Sequence, residues 1–265
     1  MSYKLTLLGT GSSGGVPRVG NHWGACDPSN PKNRRRRCSA LVERISGRGR
    51  TLLLIDTPPD IRNQLLDAGV DAVDGVVYTH DHADHTHGID DLRMLAFNMK
   101  RRVDVYMDEP TRVSLEQRFS YCFKAQPKSS YPPVLNSWPI TPPQSLTIDG
   151  AGGEIIAIPV PQMHGDAGSL GFRIGDVAYS PDISGLTPES EELLRGLDVW
   201  IVDALRYIAH PSHFNVKQAL EWIHRLKPKR AILTHLHIDL DYAALQRELP
   251  PHIVPAFDGL QITWA

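Results

Sequence analysis

Residues 80–85 read His-Asp-His-Ala-Asp-His and follow, after Thr79, on the largely apolar run Val73–Tyr78. Three imidazoles and two carboxylates in six positions do not pack as core, because a buried charge without a partner is costly. The run therefore belongs where a buried strand emerges at the rim of a sheet, which demands a fold that keeps such a rim accessible. Close, irregular clustering of imidazole nitrogen and carboxylate oxygen also suits a divalent ion such as Zn, Mn or Fe.

The same arrangement recurs downstream. His164 lies in Pro161-Gln-Met-His-Gly-Asp166 just past an apolar strand, and Asp182 lies in Tyr179-Ser-Pro-Asp-Ile-Ser184. His235 follows Ala231-Ile-Leu-Thr234. Each is a chelating side chain at a predicted strand end, as expected when one site is assembled from several strands. Singly, each is a weak signal; together with residues 80–85 they point to one metal site.

Between these points the periodicity alternates between strands and helices. Leu5–Leu8 is a strand that enters the turn Gly9-Thr-Gly-Ser-Ser-Gly-Gly15, which lacks the Gly-Lys-Ser/Thr of a nucleotide-binding loop. Ser39–Ile45 and Thr51–Ile55 form a predicted hairpin, a helix runs from Pro58 to Gly69, and Val73–Thr79 is a strand. Ile89–Met99 is helical, Val103–Met107 a strand and Pro110–Phe119 a helix. Residues 121–150 hold Pro127, Pro132, Pro133, Pro139, Pro142 and Pro143, so they are read as an ordered loop or a lid over the site. Strands then follow at Ile155–Val160, Leu170–Ile174, Val177–Ser180, Val199–Val202 and Ala231–Thr234. Helices are expected at Pro188–Leu194, Val216–Leu226 and Tyr242–Leu249, with short strands near Ile253 and Ile262. Two strand-rich halves, each followed by helices, predict an α/β fold in four layers, αββα, as a single domain over residues 1–265.

The order His80-x-His82-x-Asp84-His85, then His164, Asp182 and His235, resembles the metallo-β-lactamase superfamily along nearly the whole chain. That resemblance implies an αββα sandwich with two divalent ions, Zn or Mn, at one edge of the sheets. His80, His82 and His164 would hold one ion, Asp84, His85 and His235 the other, and Asp182 would bridge. Asp84 would also orient the attacking hydroxide. Gly9–Pro17, Asn33-Arg-Arg-Arg-Arg-Cys-Ser39 and His213-Phe-Asn-Val216 are similar to the phosphoribosyl cyclic phosphate phosphodiesterase, or PhnP-like, branch. The expected activity is hydrolysis of a small cyclic or nucleotide-like phosphodiester, with His213 as general acid or phosphate contact. Arg206 and His210 are further candidates for substrate binding. That branch often carries a structural zinc in its early loop. The corresponding positions here are Asn21, Trp23, Cys26 and Ile238, so no structural zinc is expected. The run Arg34–Arg37 reads as a solvated face or a phosphate contact. His22, His87, His224, His237 and His252 read as ordinary histidines, with His237 the first candidate for an exception because it lies two residues past His235.

Two alternatives share the fold: a tRNA 3′-end endonuclease similar to RNase Z, and a non-catalytic accessory protein resembling PqqB. A net charge of −2 offers no global field for nucleic acid, so a nucleic-acid partner is not expected. Three cysteines without C-x-x-C spacing suit a reducing compartment. No secretory leader or span of about 20 apolar residues is apparent, so the expectation is a cytoplasmic protein without a membrane partner. A homodimer remains open on apolar residues in the 121–150 loop.

Overall fold

The computed structural model describes residues 1–265 apart from Gln126, Lys128 and Ser129. It contains two seven-stranded sheets. The first is built from β1 (Ser2–Gly9), β2 (Ser39–Ser46), β3 (Gly49–Ile55), β4 (Gly75–Val77), β5 (Val103–Met107), β6 (Leu135–Pro139) and β14 (Gln261–Trp264), with order β14-β1-β2-β3-β4-β5-β6. The second holds β7 (Leu146–Ile148), β8 (Ile155–His164), β9 (Ala167–Ile174), β10 (Val177–Ser180), β11 (Val199–Asp203), β12 (Arg230–Thr234) and β13 (Ile253–Pro255), with order β13-β12-β11-β10-β9-β8-β7.

Both halves follow one plan. β1, β2 and β3 are antiparallel, and then β3, β4, β5 and β6 run parallel. Likewise β7 to β10 are antiparallel, and β10 to β13 parallel. Parallel neighbours need crossovers, which the helices supply. These include α1 (Ile61–Ala68), α3 (Leu92–Met99) and α4 (Glu109–Arg118) in the first half, and α6 (Pro188–Leu193), α7 (Val216–Leu226) and α8 (Tyr242–Glu248) in the second. Very short helices, α2 (Ala83–Thr86) and α5 (Ser120–Phe123), complete the set. The consequence for function is geometric: parallel strands deliver their C-terminal ends to a common edge, where ligand sites collect in α/β sheets.

Three apolar clusters hold the layers. Leu5, Leu7, Val42, Leu53, Ile55 and Val77 of the first sheet pack against Ile155, Phe172, Ile174, Tyr179, Ile201 and Ile232 of the second. The outer faces carry their own clusters against helices. In α7 the buried residues Val216, Ala219, Ile223 and Leu226 fall on one face, and Asn215 and Gln218 form a reciprocal capping box at its start. The αββα arrangement expected from the sequence is the fold observed.

The 121–150 segment departs from the expected loop. β6 pairs parallel with β5, and β7 pairs antiparallel with β8, so the segment forms one edge strand of each sheet. Prolines obscured this, yet an edge strand tolerates a residue without N–H, and Pro139 ends β6 there. The part of the loop expectation that falls on residues 126, 128 and 129 lies outside the described residues. β4 is also shorter than the apolar run predicted, because the Thr79 N–H turns away to donate to Asp56 Oδ1 at 2.8 Å. Among the described residues no helix is long and apolar enough to cross a membrane.

Candidate metal centre

Five parallel-strand ends feed one rim: Asp56 follows β3, His80 lies three residues beyond β4, Asp182 two residues beyond β10, and His235 directly after β12, while Asp203 ends β11. Asp56 and His235 both take left-handed backbone, with φ of 63° and 58°. Non-glycine residues pay for that conformation, and its presence at two strand ends marks a place where the turn is dictated by what the side chains must reach. After β4, extended His82 caps the single turn of α2, which carries Asp84 and His85.

The seven residues expected to ligate metal all converge. Donor atoms of His80, His82 and His164 lie within 4.8 Å of one another, and so do those of Asp84, His85 and His235. Asp182 sits between the two sets. Its Oδ1 is 3.0 Å from His85 Nε2, and its Oδ2 is 3.9 Å from His80 Nε2 and 3.7 Å from both His164 Nε2 and His235 Nε2. Ligands around a tetrahedral ion with bonds near 2.1 Å stand about 3.4 Å apart, so these separations are of the right order. The buried atoms His80 Nε2, His85 Nε2, His235 Nε2 and Asp182 Oδ1 make no hydrogen bond. An orphaned buried polar atom costs about 1–3 kcal/mol, and four of them facing one another are the mark of a place made for cations. The donor set fits divalent metal.

Electrostatics agree. Burial opposes the charge of Asp182, but the imidazoles of His235 and His85 hold its carboxyl well below the usual range. Burial likewise opposes charge on His85 and His235, yet Asp182 and neighbouring carboxylates raise both, His235 to about 10. His80 and His164 are lowered by burial, which favours the neutral, ligating imidazole. Positive charge is thus drawn to the Asp182 side of the cluster.

Residues 51–236 match the family described as the beta-lactamase superfamily domain. The crystal structure of a new diphosphatase from the PhnP family superposes with TM-score 0.89 at 37 % identity, covering 100 % of this chain and 98 % of that one. The chain belongs to the metallo-β-lactamase superfamily, in its PhnP branch. Zn(2+)-bound PqqB from Methylobacterium extorquens shares the fold, with TM-score 0.70 at 18 % identity over 98 % of this chain and 99 % of that one. A protein of Porphyromonas gingivalis (strain ATCC BAA-308 / W83) named octanoyltransferase is 34 % identical over 97 % of this chain. The chain spans about half the length of that relative, 51 %. The superfamily is one of metal-dependent hydrolases, and the donor set of this chain fits divalent metal.

In this PhnP-branch chain a further set of hydrogen bonds orients the candidate ligands. Asp56 Oδ2 lies 2.7 Å from His85 Nδ1 and also accepts from Thr79 Oγ1, which in turn reaches His80 Nδ1 at 2.9 Å. His164 Nδ1 donates to the Ser212 carbonyl at 2.7 Å. Such partners fix the ring tautomer and leave the other nitrogen for the ion. Sequence reasoning missed Asp56 and Asp203. The available signal was the one that found Asp182 and His235, an acid at the end of a buried strand.

His213 stacks on His235 with centroids 4.7 Å apart and lies 4.7 Å from the His164 ring. Its Nδ1 donates to Asp203 Oδ2 at 2.7 Å, and Asp203 Oδ2 also accepts the Ile183 N–H. His210 is the next ring outward, 5.1 Å from His213. Arg206 is turned onto loop carbonyls, those of Ile208 at 3.2 Å and Ala209 at 3.3 Å. Of the arginine run, Arg36 and Arg37 are paired with Asp258, Asp67 and Asp60, and Arg34 lies over the Trp23 ring. Arg35 is 1 % exposed, so a solvated face is wrong for that residue. Its guanidinium meets Asn33 Oδ1, the His237 carbonyl and Cys26 Sγ, while Cys26 Sγ donates to the carbonyls of Ile238 and Leu240. Hydrogen bonds thus tie the Cys26 and Ile238 positions together.

Proposed function

We propose that this chain is a binuclear metal-dependent phosphodiesterase that hydrolyses a small cyclic or nucleotide-like phosphodiester. The observation that carries the reading is the pairing of two three-donor sets across one carboxylate, Asp182, with His213 stacked beside them. The likeness to a PhnP-family diphosphatase supports phosphoryl chemistry. His80, His82 and His164 would hold one ion, Asp84, His85 and His235 the other, with Zn or Mn as candidates. Two bound ions would activate water at neutral pH and take up charge on the phosphoryl oxygens.

The chain's own groups then have definite tasks. Asp84, part-exposed beside His85 and His235, orients the incoming hydroxyl. As water oxygen bonds to phosphorus, the phosphorus–oxygen bond on the opposite side breaks and the leaving alkoxide needs a proton. His213 supplies it from Nε2, because Asp203 occupies Nδ1 and keeps the ring oriented. Asp203 is therefore a positioning residue.

The test is hydrolysis of bis(p-nitrophenyl) phosphate by protein loaded with Mn or Zn, beside Asp182→Ala. Turnover is expected to require metal and to fall at least ~10³-fold in the variant, on the scale of losing a group central to charge stabilisation. Unchanged turnover in Asp182→Ala, or no turnover in protein carrying two ions, removes the proposal. Asp203→Asn is expected to lose ~10- to 100-fold in kcat with metal content retained.

A further inference from the structure

Of the five candidate imidazole ligands, His82 alone is exposed, while His80, His85, His164 and His235 are buried. Thr79, Asp56 and the Ser212 carbonyl hold the Nδ1 atoms of His80, His85 and His164, and Asp203 Oδ1 stands 3.7 Å from His235 Nδ1. The His82 ring meets no such group among the described residues. Its Nδ1 lies 3.2 Å from His164 Nε2, which belongs to the same donor set. Neither burial nor a ring partner sets the place of this imidazole, so its position follows from its backbone.

That backbone is fastened on both sides. The His82 carbonyl accepts from Thr86 Oγ1 at 2.8 Å and from the His85 N–H at 3.1 Å. The preceding carbonyl, that of Asp81, accepts from Arg118 Nη2 at 2.7 Å, and the same nitrogen lies 2.6 Å from Asp81 Oδ2. Ser114 Oγ donates to Asp81 Oδ2 at 2.6 Å. Ser114 and Arg118 are four residues apart and share one face of α4, while Thr111 and Leu115 of that helix are buried. Asp108 caps its start by accepting the Thr111 N–H at 3.1 Å, and Glu116 ties it to β6 by accepting from Ser137 Oγ at 2.8 Å. α4 is thus a fixed support that reaches the chain beside His82 through Asp81. His85 is anchored elsewhere: Asp56 holds its ring, and its carbonyl accepts the Thr57 N–H at 2.8 Å.

We propose that Arg118, helped by Ser114, is a positioning residue of the metal centre that sets the place of His82 through Asp81. The ion of the His80, His82 and His164 set then depends on α4, and the ion of the Asp84, His85 and His235 set does not. This rests on the binuclear reading and adds a residue that tunes one ion of the pair. One guanidinium nitrogen holds both the carbonyl and the carboxylate of Asp81, a charge-assisted grip that a neutral side chain cannot supply. Groups that orient metal ligands from behind change metal affinity about 10- to 100-fold when removed.

The test is calorimetric titration of metal-free protein with Zn, in wild type, Arg118→Met, Arg118→Lys, Ser114→Ala, His82→Ala and the double variant His82→Ala/Arg118→Met. His82→Ala identifies the ion of its own set by weakening it. Arg118→Met should weaken that ion about tenfold and leave the other unchanged, Ser114→Ala should do the same to a smaller extent, and Arg118→Lys should recover part of the loss. In the His82→Ala background Arg118→Met should have no further effect, because the route through His82 is gone. Equal weakening of both ions overturns the proposal, as does a full Arg118→Met effect without His82, or no effect in either Arg118→Met or Ser114→Ala. Should Arg118→Met not fold, Ser114→Ala taken through the same cycle decides. Wild type that binds a single ion refutes the binuclear reading instead. The cycle on that ion then decides the role of Arg118, and an ion indifferent to His82→Ala overturns it.

Discussion

Two buried polar clusters adjoin in this chain, and they are built on opposite rules. At the strand-end rim, His80, His85, His235 and Asp182 point unbonded nitrogen and oxygen at one another. Beside it, Asn33 is fully buried and saturated: Nδ2 donates to the Asp27 carbonyl at 3.1 Å and to Asp241 Oδ2 at 2.6 Å, and Oδ1 accepts from Arg35 Nη2 and the Tyr242 N–H. The first cluster is incomplete without a cation, while the second completes itself from protein groups. Burial and polarity alone do not separate a site from a structural knot; the accounting of hydrogen bonds does.

Metal exchange is the strongest way to break that contrast. Chelation should lower the unfolding free energy of the loaded protein by about 3–4 kcal/mol for each ion held at 100- to 1,000-fold above its Kd. A melting curve indifferent to chelator and to added Zn or Mn would show that the orphaned atoms are not ligands.

The knot should answer in the opposite way. Asn33→Ala strands the Tyr242 N–H and an Arg35 Nη2 donor and takes a donor from Asp241 Oδ2, so it should cost about 3 kcal/mol. Urea unfolding should show the same loss with and without metal. A loss present only in the loaded protein would mean that Asn33 acts through the metal centre.

Legibility in the sequence followed the same division. The first half of the chain packs four candidate ligands into His80–His85, and no packing role accounts for such a run. The second half contributes His164, Asp182 and His235 one per strand end, readable only as a recurrence. Asp56 and Asp203 escaped because an acid after a strand is common, and only the 2.7 Å contacts to His85 and His213 distinguish them. Arg35 was hidden inside a run of four arginines, where nothing local tells the buried one from its neighbours. The edge strands β6 and β7 were masked by prolines that an interior strand would not accept.

A third acid, largely but not fully buried, sharpens the comparison at smaller scale. Asp258 accepts from Thr10 Oγ1 and the Arg36 N–H at 2.8 Å each, with the Arg36 guanidinium 3.4 Å away at Nε. Burial outweighs these partners and pushes its carboxyl up to about 6, the reverse of Asp182, where facing imidazoles prevail. An unfolded aspartate ionises near 3.9, so between about pH 4 and 6 the folded chain holds a proton that the unfolded chain has lost. Stability from this group is therefore greatest below pH 4, declines as pH rises to about 6, and is level above. Asp258→Asn cannot ionise. Its oxygen can accept the Arg36 N–H while its amide faces the Thr10 hydroxyl, which accepts as well as donates. Relative to wild type the variant should gain about 1–3 kcal/mol between pH 4 and pH 7, read as diverging urea midpoints. Parallel midpoints across that range would mean that the Arg36 partners, not burial, govern Asp258, and would place it with the ion-paired acids.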